Sequence, residues 1–106
     1  MAAYKRVFLS FPMRGYTGNE IIEMKKEMIP CLKQSEIPID NYIEQPSWCK
    51  ERLWCLGEAI KKLGECDAAI FHYKWKEARG CIVERTVAEQ YGIEIIDMEV
   101  PHDDTK

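Results

Sequence analysis

The sequence predicts an α/β protein in three layers, a four-stranded parallel sheet with helices packed on both faces. Three observations predict it. Short apolar runs of strand length, residues 6–11 and 67–72, alternate with segments whose apolar residues recur at helical spacing. Turn formers, Pro12 with Gly15, then Gly64 and Gly92, separate the segments. Strands that alternate with helices of this length are joined by crossovers, which makes the sheet parallel.

The first strand is Arg6-Val7-Phe8-Leu9-Ser10-Phe11, ended by Pro12 and Gly15. Thr17-Gly18-Asn19-Glu20 matches a capping box, in which Thr and Glu exchange hydrogen bonds with each other's backbone. Ile21, Met24, Met28 and Leu32 continue at helical spacing, and Pro30 shortens or kinks that helix near Ile29. Residues 37–42 make the second strand, which Pro38 weakens. Ser47 caps the second helix; Leu53, Leu56, Ile60 and Leu63 form its apolar stripe, and Gly64 stops it. Residues 67–72 form the third strand and residues 81–91 the third helix, with Gly92 as its stop. Residues 93–97 form the fourth strand.

The whole chain of 106 residues makes one domain, with a core over 6–97 and a polar tail over 100–106. A hydrophobic content of 46% and a charged content of 31% are those of a soluble globular protein. The net charge of −3 gives no electrostatic case for nucleic acid or an acidic membrane as partner. The sequence has no apolar run of membrane-spanning length and its N-terminus has no signal-peptide core, so a cytoplasmic location is expected. Cys31, Cys49, Cys55, Cys66 and Cys81 are odd in number and lack paired spacing. With only two histidines, no metal and no cofactor are expected, and the thiols are expected to be reduced and mostly buried.

The expected strand order 2-1-3-4 is flavodoxin-like or Rossmann-like. It puts the switch point between the first and third strands, where ligands of open α/β sheets bind. Two loops converge there, residues 10–15 and 72–80. The first supplies the Ser10 hydroxyl, Pro12, Met13, the Arg14 guanidinium for a carboxylate or phosphate, and Gly15 for close backbone approach. A tight turn with a solvated Arg is the equal alternative. The second loop supplies His72, Tyr73, Trp75, Arg79 and Gly80. Trp75 between two lysines points to a ligand or an interface; His72 reads as a structural residue.

Glu84 is placed in the first turn of the third helix, where the helix dipole favours a carboxylate; that preference alone would also explain an inert one. By spacing it shares an inward face with Ala88 and Tyr91, while Arg85 and Glu89 form an exposed pair one turn apart. Glu84 is thus the carboxylate best aimed at the crevice and can act as a nucleophile. Glu77 and Asp97, the latter ending the fourth strand on the same rim, are further candidates. Trp48 and Trp54 lie off the apolar stripe of the second helix and point to a homo-oligomer interface, with a second ligand wall as the alternative.

Four stretches, residues 8–15, 53–57 and 75–81, then Glu84 with 88–93, resemble a family of small, often phage-encoded proteins related to the nucleoside 2-deoxyribosyltransferases. The resemblance spans residues 6–97. It implies a single transferase-like domain in which Glu84 attacks the sugar C1′, expels the base and forms a covalent glycosyl-enzyme. Cleavage or transfer at the N-glycosidic bond of a nucleoside or nucleoside 5′-monophosphate follows. It also implies that Ser10, Met13, Arg14 and Gly15 wrap the sugar end, that Arg14 meets a 5′-phosphate, and that a neighbouring subunit completes the site. One departure stands out: the transferases usually carry Asp residues after the third strand, and here that loop reads His72-Tyr73-Lys74-Trp75-Lys76-Glu77. Glu77 or Asp97 would have to assist protonation of the leaving base. A nucleotide-binding protein that senses or sequesters its ligand without turnover is therefore the competing expectation.

Overall fold

The computed structural model describes residues 5–13, 15–40 and 52–100. Four strands, β1 (Lys5–Ser10), β2 (Glu36–Asp40), β3 (Ala68–Phe71) and β4 (Glu94–Asp97), form one parallel sheet in the order β2-β1-β3-β4. Three helices connect them: α1 (Gly18–Met28), α2 (Arg52–Gly64) and α3 (Arg79–Gln90). Val7, Leu9, Ala68 and Ile70 meet Met24 and Met28 of α1 on one face. Phe8, Ala69 and Phe71 meet Ala59 and Leu63 of α2 and Ala88 of α3 on the other. The alternation of side chains along each strand divides the core in this way. The first connection steps outward with its helix on one face; the later two step the other way with their helices opposite, as crossovers of a single hand require.

The two central strands lose both faces to helices, so residues 7–10 and 68–71 are all buried. The edge strands are partly exposed. Pro38 sits in β2 opposite Val7, and an edge strand tolerates its missing N–H.

The capping box is formed at α1: Glu20 donates its N–H to Thr17 Oγ1 at 3.2 Å, and Thr17 donates its N–H to Glu20 Oε1 at 2.8 Å. Pro30 converts the helix end to a 3-10 turn over Ile29–Cys31. Gly92, with φ of 73°, takes the left-handed conformation after α3.

Two expectations about helix faces are corrected. Leu53, placed on the apolar stripe of α2, is 75% exposed. The buried face centres on Ala59 and Leu63, and at about 100° per residue Leu53 lies about 120° away from Ala59. Tyr91, placed inward with Glu84, is 80% exposed, because the helix ends at Gln90 and Tyr91 leaves its line at φ of −108°. Ser47, Trp48, Cys49 and the end of the expected second strand lie outside the described residues. No helix among the described residues is long and apolar enough to cross a membrane.

The capping box yields a direct test. Thr17→Ala removes the acceptor for one helix N–H, so it should lower stability by about 1 kcal/mol. Chemical denaturation of the two proteins measures the difference. A loss below a few tenths would show that water replaces the cap at no cost.

Candidate active site at the ends of β1 and β3

Ser10 closes β1 on the same side as Phe8, facing α2 and α3. Its backbone carbonyl accepts the His72 N–H at 2.9 Å, which ties the ends of β1 and β3 together. Its hydroxyl donates to Glu84 Oε1 at 2.6 Å. Both residues are buried, Glu84 with 2% of its surface exposed. Cys81, one turn before Glu84, is equally buried. Burial pushes the Cys81 thiol up to about 12; the nearby Ser10 hydroxyl opposes that rise and the Glu84 charge adds to it.

The start of α3 differs from the expected one. The helix begins at Arg79 after Ala78, so Glu84 is its sixth residue and lies in the second turn. The dipole field fades within the first turn, so it does not account for Glu84. Burial against β1 and the Ser10 donor do. Ala78 offers no side-chain cap, and Arg79 stands exposed at the first helical position. Gly80 faces α2: a Cβ built there would come 3.9 Å from Leu56 Cδ1.

The two loops meet. Tyr16 donates its hydroxyl to Glu77 Oε1 at 2.7 Å, and Lys74 Nζ lies 5.7 Å from the Tyr16 ring centre. The hydrogen bond to Glu77 holds the Tyr16 phenol above its ordinary range. Pro12 is buried, Met13 packs on the α1 side of the core, and Gly15 has φ of 87°. Arg14 lies outside the described residues. The sequence reading passed over Tyr16; its one signal was an aromatic directly after Gly15 in a loop expected to bind.

Trp75 is half-buried against the α2–α3 side of the core, edge-on to Phe71 at 6.3 Å. The Arg85 guanidinium lies 4.4 Å from its ring centre, so packing occupies that side of the ring. The expected Arg85–Glu89 pair gives way to a two-pronged one: Arg85 donates to Asp97 at 2.5 and 3.1 Å. The planar fork fits the carboxylate at the end of β4, and the aromatic rings receive its flat face. Asp97 is held below its ordinary range first by this hydrogen bond. His72 is buried; its Nδ1 accepts the Lys74 N–H at 3.1 Å and its Nε2 meets Glu27 Oε1 at 2.9 Å, the structural role expected. Among the described residues no cluster of His, Cys, Asp and Glu could hold a metal ion.

No family model, no curated protein and no solved structure matches the chain.

The Arg85–Asp97 pair makes stability depend on pH. A depressed carboxyl value means that the contribution is present above the unfolded value near 3.8 and is lost as pH falls through the folded one. Asp97 is more than half exposed, so the contribution is that of a surface pair, about 0.2–1 kcal/mol. Asp97→Asn should therefore be less stable than the wild type at pH 7 and converge with it as pH falls through the depressed folded value of Asp97. A gap that stays constant over that range would assign the loss to packing.

Proposed function

We propose that the protein cleaves or transfers the N-glycosidic bond of a (deoxy)nucleoside or nucleoside 5′-monophosphate, with Glu84 as nucleophile. The observation that carries this reading is the Glu84 carboxylate, buried beside the end of β1 and hydrogen-bonded by Ser10 at 2.6 Å. A carboxylate oxygen bonds to C1′ as the C1′–N bond breaks. The base leaves with the bonding pair and takes up a proton. Water or a second base then attacks C1′ from the opposite face and releases Glu84, so the configuration is retained. The resemblance to nucleoside 2-deoxyribosyltransferases supports the substrate class. The uncapped α3 start with exposed Arg79 supports an anionic group there, alongside the role expected of Arg14.

The proton for the leaving base falls to Glu77 and Tyr16, since Asp97 is engaged by Arg85. A phenol held above its ordinary range gives up its proton slowly. With both rim carboxylates engaged locally, a nucleotide-binding protein without efficient turnover is the second reading. Two experiments separate them. Glu84→Gln keeps shape and hydrogen bonding but removes the attacking charge, so base release from a panel of deoxynucleoside 5′-monophosphates should fall to background while affinity stays within a few-fold. Mass spectrometry should find a sugar adduct on wild-type Glu84 and none on Glu84→Ala. A wild type that binds a nucleotide yet releases no base would establish the binder; unfolding of Glu84→Gln would make the carboxylate structural.

A homo-oligomer belongs to the same proposal. Leu53, Ile82 and Val83 are exposed in the N-terminal halves of α2 and α3, helices that pack together, and Trp54 is half-buried in the first turn of α2. Self-association would cover this apolar surface. Light scattering should show a dimer or larger species at micromolar concentration; a monomer would remove this part of the proposal.

A further inference from the structure

His72 follows β3 on the α1 side of the sheet, and its ring is buried. Both ring nitrogens are committed. Nδ1 accepts the Lys74 N–H at 3.1 Å, so Nδ1 carries no proton. An imidazole must carry one, so Nε2 carries it and donates to Glu27 Oε1 at 2.9 Å. The ring is therefore the Nε2–H tautomer. The His72 carbonyl accepts the next N–H, that of Trp75, at 2.9 Å. Two consecutive backbone donors thus end on one residue, its ring serving as an Asx side chain serves in a turn. That turn carries a group of the site. Lys74 precedes a 3-10 turn over Trp75–Glu77, and its carbonyl accepts the Glu77 N–H at 3.0 Å. Glu77 in turn accepts the Tyr16 hydroxyl, and Lys74 Nζ lies beside the Tyr16 ring. The other tautomer would set an Nδ1–H against the Lys74 N–H and leave both without an acceptor.

We propose that Glu27 is a positioning residue for Glu77. By accepting from Nε2 it fixes the His72 tautomer, and that tautomer seats Lys74 and with it the turn that carries Glu77. Glu27 acts from α1, through the ring, on a loop it does not belong to. An acceptor at the tip of the side chain is what the role requires, since it keeps the single ring proton on Nε2 and the Nδ1 lone pair open to Lys74. The catalytic part of this inference rests on Glu77 as a proton source in the proposed reaction; the tautomer and the seating of the turn do not.

Nitrogen-15 NMR of the full-length protein reads the tautomer, with His102→Gln assigning the two histidines. The wild type should show a bare Nδ1, a protonated Nε2 and a scalar coupling from Nδ1 to the Lys74 amide nitrogen across the hydrogen bond. A proton on Nδ1, or no coupling, would overturn the proposal. Glu27→Leu should mix the tautomers, lose the coupling and weaken the nuclear Overhauser contacts of Tyr16 with Lys74 and Glu77. Glu27→Gln keeps an acceptor oxygen and should restore all three. Amide shifts of β1 should stay in place in both variants, which separates a released turn from an unfolded protein. A wild-type tautomer in Glu27→Leu would show that Lys74 alone sets it and would remove Glu27 from the role. For base release from deoxynucleoside 5′-monophosphates, Glu27→Leu should lower kcat about two- to tenfold with KM within about twofold, and Glu27→Gln should recover it. Mixed tautomers with unchanged kcat would make Glu27 structural and sink its positioning role. If the wild type releases no base, the proposed function fails, while the spectra still decide the tautomer and the seating of the turn.

Discussion

A carboxylate carried into a protein interior must find donors there, and for Glu84 the end of β1 supplies one. An uncompensated buried charge costs several kcal/mol, of the same order as the whole stability of a small domain. The bond from Ser10 to Glu84 Oε1 therefore does more than join two side chains. It sets the roll of α3, because turning the helix by one residue would exchange Glu84 for the exposed Val83 or the ring-stacked Arg85. With that roll fixed, Ala88 falls on the sheet and Arg85 falls over Trp75 and beside Asp97. The ends of β1, β3 and β4 are thus coordinated through one helix.

The charges around the crevice are matched in pairs drawn from different elements. Glu77 holds Tyr16 across the two loops, Asp97 holds Arg85 from β4 to α3, and Glu27 meets His72 from α1 to the end of β3. The Tyr16–Glu77 and Glu27–His72 pairs join elements far apart in sequence, and the Arg85–Asp97 pair ties α3 to the strand that follows it. Preorganisation of this kind is what a binding or catalytic crevice requires. It also commits two carboxylates that a reaction would otherwise use, which is why proton supply rather than nucleophilic attack is the demanding step in the proposed chemistry.

Much of the fold was legible because local physics decides it. The capping box, the Pro30 break and the Gly92 turn each act within four residues, and the sheet order follows from the alternation of strands and helices. The misplaced residues needed longer-range knowledge. Leu53 has the right spacing and the wrong face, because the direction of the sheet decides which side of α2 is inward. Arg85 had a partner available one turn away in Glu89, but Asp97 and two aromatic rings, brought close only by folding, bind it better. The inward placement of Glu84 follows from its spacing, but the helix dipole is not its cause. The helix starts earlier than its apolar residues suggest, at Arg79, and tertiary burial replaces the dipole as the cause. Ser10 could be listed from sequence, but its bond to Glu84 spans 74 residues and no local rule forecasts it.

The Glu84 position can be weighed against its simplest alternative. If α3 needed only a close fit to β1, an apolar side chain of similar volume would serve, and replacing buried ionic groups by apolar ones is often neutral or stabilising. The surroundings are suited to such a residue: Phe8, Phe71 and Ala88 already line that face. Instead the chain places there a carboxylate, a hydroxyl that binds it and a thiol beside them. Stability alone gives no reason for three polar groups at the carboxyl ends of the two central strands. The position does, since that is where an open parallel sheet leaves room for a ligand between its helices. A buried carboxylate that is expensive to keep, held by Ser10 at the carboxyl ends of the central strands, is the feature on which the proposed contact with a ligand rests.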